Sequence, residues 1–297
     1  MKATPTITKE GMARRASGTM TRRVFLGTSA FVLATGIAVG ANGFTEPFRV
    51  ERCHVRVPVR DLPPSLAGYR IGQISDLHYP RNMTLDFLRD AVRAVDSMKP
   101  DVLVITGDLV DRKGPPNASR SLAGLFDDVN APDGILAVLG NHDHWYDAEA
   151  VRRDLRDNTP VRLIDHTHVM ISRGDAELAI GGVGDLWTDK VELQRTFGDV
   201  PPDVPRVLLS HNPDVAELKA HDGIRVDLQL SGHTHGGEVN LPFVGPPAVP
   251  SRHGRKYVRG LVQGPAWPVY INRGLCSPRF IRFACRPEVT CIELVAA

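Results

Sequence analysis

Asp76-Leu77-His78 is the first of five short polar clusters along the chain, each made of residue types that can bind cations. The others are Gly107-Asp108 with Asp111, Gly140-Asn141-His142-Asp143, His211, and Gly232-His233-Thr234-His235. Together they offer carboxylates, an amide oxygen and several imidazoles, with no thiolate. Such hard-to-borderline donors suit Mn, Fe or Zn ions rather than a soft metal. Acidic groups crowded into one crevice would also need bound cations as compensation. Singly, each cluster has an ordinary explanation: Asp-x-His is a common surface pattern, Gly-Asp is often a turn, and one histidine can simply pack or cap. Their force lies in the series, because each follows a stretch that reads as a strand.

Those strands are short apolar runs at residues 69–75, 101–106, 135–139, 206–209 and 226–230, and the clusters stand at their carboxyl ends. Side chains at strand ends of an α/β sheet converge on one crevice. Strand periodicity of two would put Asp76 and His78 on one face, and His233 and His235 likewise if their strand continues. Residues 85–98 have helical spacing (Leu85, Leu88, Val92, Val95), and helices are predicted over 119–129 and 147–157. Strands alternating with helices imply βαβ crossovers and a largely parallel first sheet. An opening strand is expected within 44–64. Runs at 161–164, 169–173 and 178–183 follow one another quickly and are expected to pair antiparallel, while 269–272 and 289–294 close the chain.

The 297 residues, 42% hydrophobic and 24% charged, suit one large α/β domain. The net charge of +2 is unevenly placed. Residues 1–41 hold six Lys and Arg against Glu10, leaving 30 basic and 33 acidic residues in the rest. A slightly acidic body argues against a nucleic-acid partner bound through a basic face. Arg22-Arg23-Val24-Phe25-Leu26 opens an uncharged stretch over 24–41 that is rich in Gly, Ala and Thr. It resembles a twin-arginine export signal, with the translocase as a transient partner. Left uncleaved, it would tether the protein to the membrane; a spanning anchor is the other reading. The expected division is therefore 1–41 as signal or anchor and 42–297 as catalytic domain, located outside the cytoplasm or tethered to the cytoplasmic membrane. Cys53, Cys276, Cys285 and Cys291 form no CxxC pair, leaving open one or two bridges, with Cys285 and Cys291 nearest in sequence, or buried thiols.

The five clusters, in this order, resemble the calcineurin-like metallophosphoesterase superfamily over roughly residues 69–294. The twin-arginine start, the Ile74-Ser75-Asp76-Leu77-His78 phrase and Tyr270-Ile271-Asn272-Arg273-Gly274-Leu275 narrow the likeness. They are similar to exported or membrane-associated bacterial phosphodiesterases, a group related to enzymes that cleave UDP-2,3-diacylglucosamine. The resemblance implies a four-layer αββα sandwich of two mixed sheets flanked by helices. It implies Asp76, His78 and His235 on one metal, Asn141, His211 and His233 on a second, and Asp108 bridging both. His142 would face the substrate, oriented by Asp111, and Asp143 would shape the loop. Two such ions would share and activate a water for in-line attack on phosphorus. The implied activity is phosphodiester or pyrophosphate hydrolysis, on a phosphoester substrate that is lipid-linked or a nucleotide-sugar. A phosphomonoesterase on the same scaffold and a non-catalytic metal-binding protein are the alternatives.

Around the clusters, His144-Trp145-Tyr146 would form either an aromatic shelf at the entrance or ordinary packing at a helix start, and Trp187 has the same two readings. Asn272 and Arg273 are candidates to approach the phosphate. His54, His166, His168, His221 and His253 have no spacing partner and are expected to be surface or structural.

Overall fold

The computed structural model describes residues 43–218, 223–276 and 281–297; the signal-like segment over 1–41 and His221 lie outside the described residues. From residue 43 onward the chain forms one unit. Its elements are β1 (Glu51–Val59), β2 (Arg70–Ile74), α1 (Leu85–Asp96), β3 (Val102–Thr106), β4 (Ile135–Val138), α2 (Asn141–Asn158) and β5 (Val161–Leu163). There follow β6 (Thr167–Arg173), β7 (Ala176–Gly182), α3 (Leu193–Phe197), β8 (Arg206–Leu209), β9 (Leu228–Ser231), β10 (Gly260–Gln263), β11 (Pro268–Ile271) and β12 (Glu288–Ala296). Among the described residues no helix is long and apolar enough to cross a membrane.

Twelve strands divide into two sheets of six, ordered β1-β12-β2-β3-β4-β5 and β10-β11-β9-β8-β7-β6. In the first, β2 to β5 run parallel, while β12 is antiparallel to β2 and parallel to β1. In the second, β7, β8, β9 and β11 are parallel, with β6 and β10 as antiparallel edges. Both sheets are thus mixed, and with flanking helices they make the expected four-layer sandwich.

The central strands read as unbroken apolar runs because both of their faces are covered. In β3, Leu103 and Ile105 pack with Leu88, Val92 and Leu155 of the helices, whereas Val102 and Val104 face the second sheet. In β7 and β8, Leu178, Ile180, Val207 and Leu209 fill the space between the sheets. Their neighbours Ala179 and Leu208 turn outward onto Phe197, Val215 and Tyr257. Period-two alternation therefore builds three apolar layers from one kind of strand.

Three sequence expectations change. Residues 161–163 do not join the antiparallel group: after the α2 crossover they return parallel to β4 in the first sheet. Of that group, only β6 and β7 pair antiparallel. The helix expected over 119–129 shrinks to a single 3-10 turn, Ser119–Leu122, because Gly124 takes φ +74° and ends it. The helix expected at 147 begins at Asn141 and is re-started at Asp147, whose extended backbone lets Oδ1 accept from Ala150 N at 3.0 Å.

The layer between the sheets tolerates little loss of volume. Ile180→Ala is expected to cost about 2–5 kcal/mol. In urea, the unfolding midpoint should fall while the slope stays constant.

Candidate metal centre

The strands stop short of the residues they position. β2 ends at Ile74 and β9 at Ser231, so strand alternation is not what aligns Asp76 with His78 or His233 with His235. Instead the backbone turns left-handed at Asp76 (φ 53°), His78 (44°), Asp108 (54°), His233 (70°) and His235 (51°). Non-glycine residues rarely adopt this conformation. Here hydrogen bonds between clusters hold it: Asp76 N donates to Gly107 O at 3.0 Å, His78 N to Asp108 O at 2.9 Å, and Cys276 N to Asp76 O at 2.9 Å. Gly232 N donates to His211 O at 3.1 Å, and His233 N to both Asp76 oxygens at 3.1 Å. At Gly232, a Cβ would stand 1.9 Å from Ser75 Oγ and 2.3 Å from Asp76 Oδ2, so the close approach requires glycine.

These turns gather the seven residues proposed as ligands into one buried cluster. Asp76 Oδ1 lies 3.5 Å from His235 Nε2 and 3.9 Å from His78 Nε2, and the two Nε2 atoms are 3.3 Å apart. Asp108 Oδ2 sits between the halves, 3.4 Å from His78 Nε2 and 3.3 Å from His211 Nε2. His211 Nε2 is in turn 3.1 Å from His233 Nδ1. Asn141 Oδ1 is buried without a hydrogen-bond partner. Three trios could each hold an ion: Asp76, His78 and His235; Asp76, Asp108 and His211; and His78, Asp108 and His142.

Backbone carbonyls fix how the rings are used. His211 Nδ1 is 2.8 Å from Thr106 O, and His235 Nδ1 is 3.0 Å from Cys276 O. Donation to those carbonyls leaves each Nε2 lone pair facing other acceptors, an arrangement that a cation resolves. In the protein alone, protons must do so. Burial opposes charge on His211, yet Asp108 and Asp76 push it up to about 10. Burial also works against ionised Asp108, but the His211 and His78 rings hold its carboxyl well below the usual range. Burial and the charge on His211 push His233 down to about 3.

His142 stands beside this cluster, its ring 4.5 Å from that of His78 and its Nδ1 3.5 Å from Asp111 Oδ2. Asp111 also faces His78 Nδ1 at 3.6 Å. Asp143 accepts from Val110 N at 2.8 Å and Gly140 N at 2.9 Å, tying the second and third clusters together. Burial and the nearby Asp108 push its carboxyl up to about 7.

Two arginines went unnoticed in the sequence. Arg81 Nη1 is 3.3 Å from Asp111 Oδ2. Arg282 is fully buried, and its Nη2 donates to Cys276 O at 2.7 Å, the carbonyl that also holds His235. Its Nη1 is 3.4 Å from His235 O. Neither has a spacing signature, since nothing in the pattern separates Arg282 from the neighbouring Arg286. Arg273 turns away from the cluster, its guanidinium held by Glu288 and Glu51. Asn272 is likewise spent on Thr290 Oγ1 and Gly274 N. His54 and His253 are exposed, His166 pairs with Asp189, and His168 bonds Thr196 O. All four cysteines are thiols, so the bridge between Cys285 and Cys291 is not made.

A cavity of about 330 Å³ opens over the cluster, and its lining includes Trp145, Trp187, Ala248, Val249 and Pro250. Trp187 packs edge-on against His233 with centroids 4.3 Å apart, and Trp145 lies 5.2 Å from His142. Both tryptophans are nearly half exposed and therefore form a wall rather than core.

A family model described as Calcineurin-like phosphoesterase matches residues 69–237. The chain is 33% identical over 282 residues to YkuE, an uncharacterized metallophosphoesterase of Bacillus subtilis (strain 168), covering 93% of this chain and 98% of that one. It is 31% identical over 287 residues to phosphodiesterase YaeI of Escherichia coli (strain K12), covering 93% and 100%. It is 30% identical over 285 residues to UDP-2,3-diacylglucosamine pyrophosphatase LpxG of Chlamydia muridarum (strain MoPn / Nigg), covering 75% and 83%.

The contact at Gly232 gives a direct test of this packing. Gly232→Ala must displace Ser75 and Asp76, and is expected to lower stability by about 1–3 kcal/mol. Metal bound per chain, measured by elemental analysis, should fall with it.

Proposed function

This chain belongs to the calcineurin-like phosphoesterase family, hydrolases that act on phosphoester bonds with a dinuclear metal centre, and from that premise we propose that it hydrolyses a phosphodiester or pyrophosphate bond. The carrying observation is Asp108, whose Oδ2 lies within 3.4 Å of His78 Nε2 and 3.3 Å of His211 Nε2. A carboxylate at that place can serve two neighbouring cations. Asp76, His78 and His235 would hold one ion; Asn141, His211 and His233 would hold the other. The donor set, without thiolate, favours Mn, Fe or Zn. When bound, such a pair supplies Lewis acidity and an activated water.

The chain's own groups do the rest. With Nδ1 turned to Asp111, His142 keeps Nε2 for the phosphate oxygens or the leaving group, as hydrogen-bond donor or general acid. Asp111, itself steadied by Arg81, fixes that ring. Trp145, Trp187 and Val249 exclude water and present an apolar wall to whatever group the phosphate carries. The names of two relatives, a phosphodiesterase and a UDP-2,3-diacylglucosamine pyrophosphatase, support a bis-ester or pyrophosphate on a lipid-linked or nucleotide-sugar substrate. Arg22-Arg23 and the uncharged run over 24–41 support export by the twin-arginine translocase, with the catalytic body outside the cytoplasm or tethered to its membrane.

Substitutions at two positions separate the roles. Asp108→Ala should lose bound metal and turnover together. His142→Ala should keep its metal while turnover of bis(p-nitrophenyl) phosphate drops roughly 10²–10⁴-fold. Loss of metal in His142→Ala would make it a ligand instead, and faster hydrolysis of p-nitrophenyl phosphate than of the bis-ester would favour a monoesterase.

Metal uptake should also depend on pH in one direction. His211, pushed up to about 10, carries a proton at neutral pH that a metal must displace. Affinity is therefore expected to rise from acid to neutral pH, by about tenfold per pH unit for each proton displaced. Competition against a fluorescent chelator at several pH values measures this.

A further inference from the structure

The chain leaves the rim of the catalytic cavity at Gly237 and Glu238 and returns to it at Ala248, Val249 and Pro250. Between these points it projects as a tight turn, with Gly245 N donating to Leu241 O at 2.7 Å and Leu241 N to Gly245 O at 3.1 Å. The tip is apolar and faces outward: Phe243 has a relative accessibility of 109%, and Val244 and Leu241 are 52% and 38% exposed. Phe243 also takes a left-handed backbone, φ 63°, which is unfavourable for a bulky residue. The loop thus spends strain on presenting an aromatic ring that the fold itself does not cover.

Charge around the stem is mainly positive, with Glu238 at its cavity end and Asp214, which accepts from Ser251 Oγ and Arg252 N, as the acids beside it. Arg255 lies against Gly245, its Nη1 3.5 Å from where a Cβ would stand, and Arg252 is exposed nearby in sequence. Arg259 Nη1 donates to Ala284 O at 2.9 Å, next to Phe283, whose carbonyl accepts from Asn240 N at 2.8 Å. Among the described residues no carboxylate forms an ion pair with Arg252, Arg255 or Arg259, whereas Lys256 is paired with Glu217. The stem also adjoins the start of the folded body, since Arg282 N donates to Gly43 O at 3.1 Å. Gly43 lies two residues beyond the uncharged run over 24–41, and Phe44 after it is 56% exposed.

An apolar tip rimmed by unpaired cations matches one kind of surface, a lipid bilayer carrying anionic headgroups. We propose that the 238–250 loop docks the protein on such a bilayer, with Phe243 and Val244 entering the interface and Arg252, Arg255 and Arg259 meeting lipid phosphates. Because both ends of the loop line the cavity, docking holds the cavity mouth at headgroup level, where a phosphoester borne by a lipid is presented. That consequence rests on the hydrolase reading; the docking does not. A second copy of this chain is a poorer occupant, because pairing two such rims sets like charges together.

The test uses the full chain with Phe243→Cys carrying an environment-sensitive fluorophore. It is titrated with phosphatidylcholine vesicles containing about one quarter phosphatidylglycerol. The same label on Asp175→Cys, in the exposed β6–β7 turn, is the control. The label at 243 should shift to the blue and brighten, and the label at 175 should not. Arg252→Glu with Arg255→Glu, or high salt, should weaken the vesicle affinity about tenfold. A silent label at 243, equal responses at both positions, or a shift that needs only more protein and no vesicles would overturn the proposal. Hydrolysis of bis(p-nitrophenyl) phosphate is followed on the same samples. Turnover with a silent label sinks docking alone; a responding label without turnover sinks the hydrolase reading alone.

Discussion

Left-handed backbone at Asp76, His78, Asp108, His233 and His235 is the constraint on which the rest of the molecule depends. Each such residue costs on the order of 1–3 kcal/mol and persists only where its surroundings over-determine it. The surroundings here are the other strand ends. Asp76 of the first sheet is bound to Gly107 of the same sheet and to the His233 amide of the second. Gln73 Nε2 reinforces the crossing, donating to Thr106 Oγ1 and to Ser231 O at 3.0 Å each. The site is therefore a seam between two sheets, and it forms only when their apolar faces have docked.

The same seam concentrates acceptors. Carbonyl-anchored rings aim their Nε2 atoms at carboxylates and at one another, and the buried Asn141 oxygen has no donor. Asp76, His78 and His211 are fully buried, away from bulk solvent. Protons or cations relieve this crowding, and the two compete for the same lone pairs. Burial first, then the charges of His78 and Arg282, disfavour protonation of His235 and leave that ring available to a metal. The buried Arg282 guanidinium is held by the carbonyls of Arg273, Gly274, Cys276, His235 and Cys285 and by the Cys285 thiol, because burying its charge without such partners would be costly.

Much of this was legible in the sequence for a physical reason. Strands covered on both faces show continuous apolar runs, so their ends, and the polar clusters there, could be located to within a residue or two. The clusters could be grouped because an α/β sheet brings its strand ends together. What stayed hidden depended on tertiary context. Residues 161–163 look like the strands that follow them, yet the α2 crossover returns them to β4. Strand periodicity gave the right grouping of Asp76 with His78 for the wrong reason, since the chain has already left the strand. Arg81 and Arg282 act through distant partners, and Arg273, adjacent to a strand end, is captured by Glu288 and Glu51. No local pattern distinguishes these outcomes.

Chemistry and selectivity are built from different material. Every proposed ligand sits in a turn just past a strand end or, for Asn141, on the first turn of α2, positions tied into the seam. The cavity walls come from segments with looser ties. Trp145 rides on the short first part of α2, separated by the break at Asp147 from the part that packs on the core. Trp187 stands on a loop pinned chiefly by Asp185, which accepts from its amide at 2.9 Å. Val249 and Pro250 close the loop that carries Phe243. Substitutions in these walls leave the strand ends untouched, so the scaffold can change the group attached to phosphorus while the reacting geometry stays fixed. The resemblance among such relatives should accordingly be strongest at the clusters and weakest at the walls, and substrate has to be read from the walls.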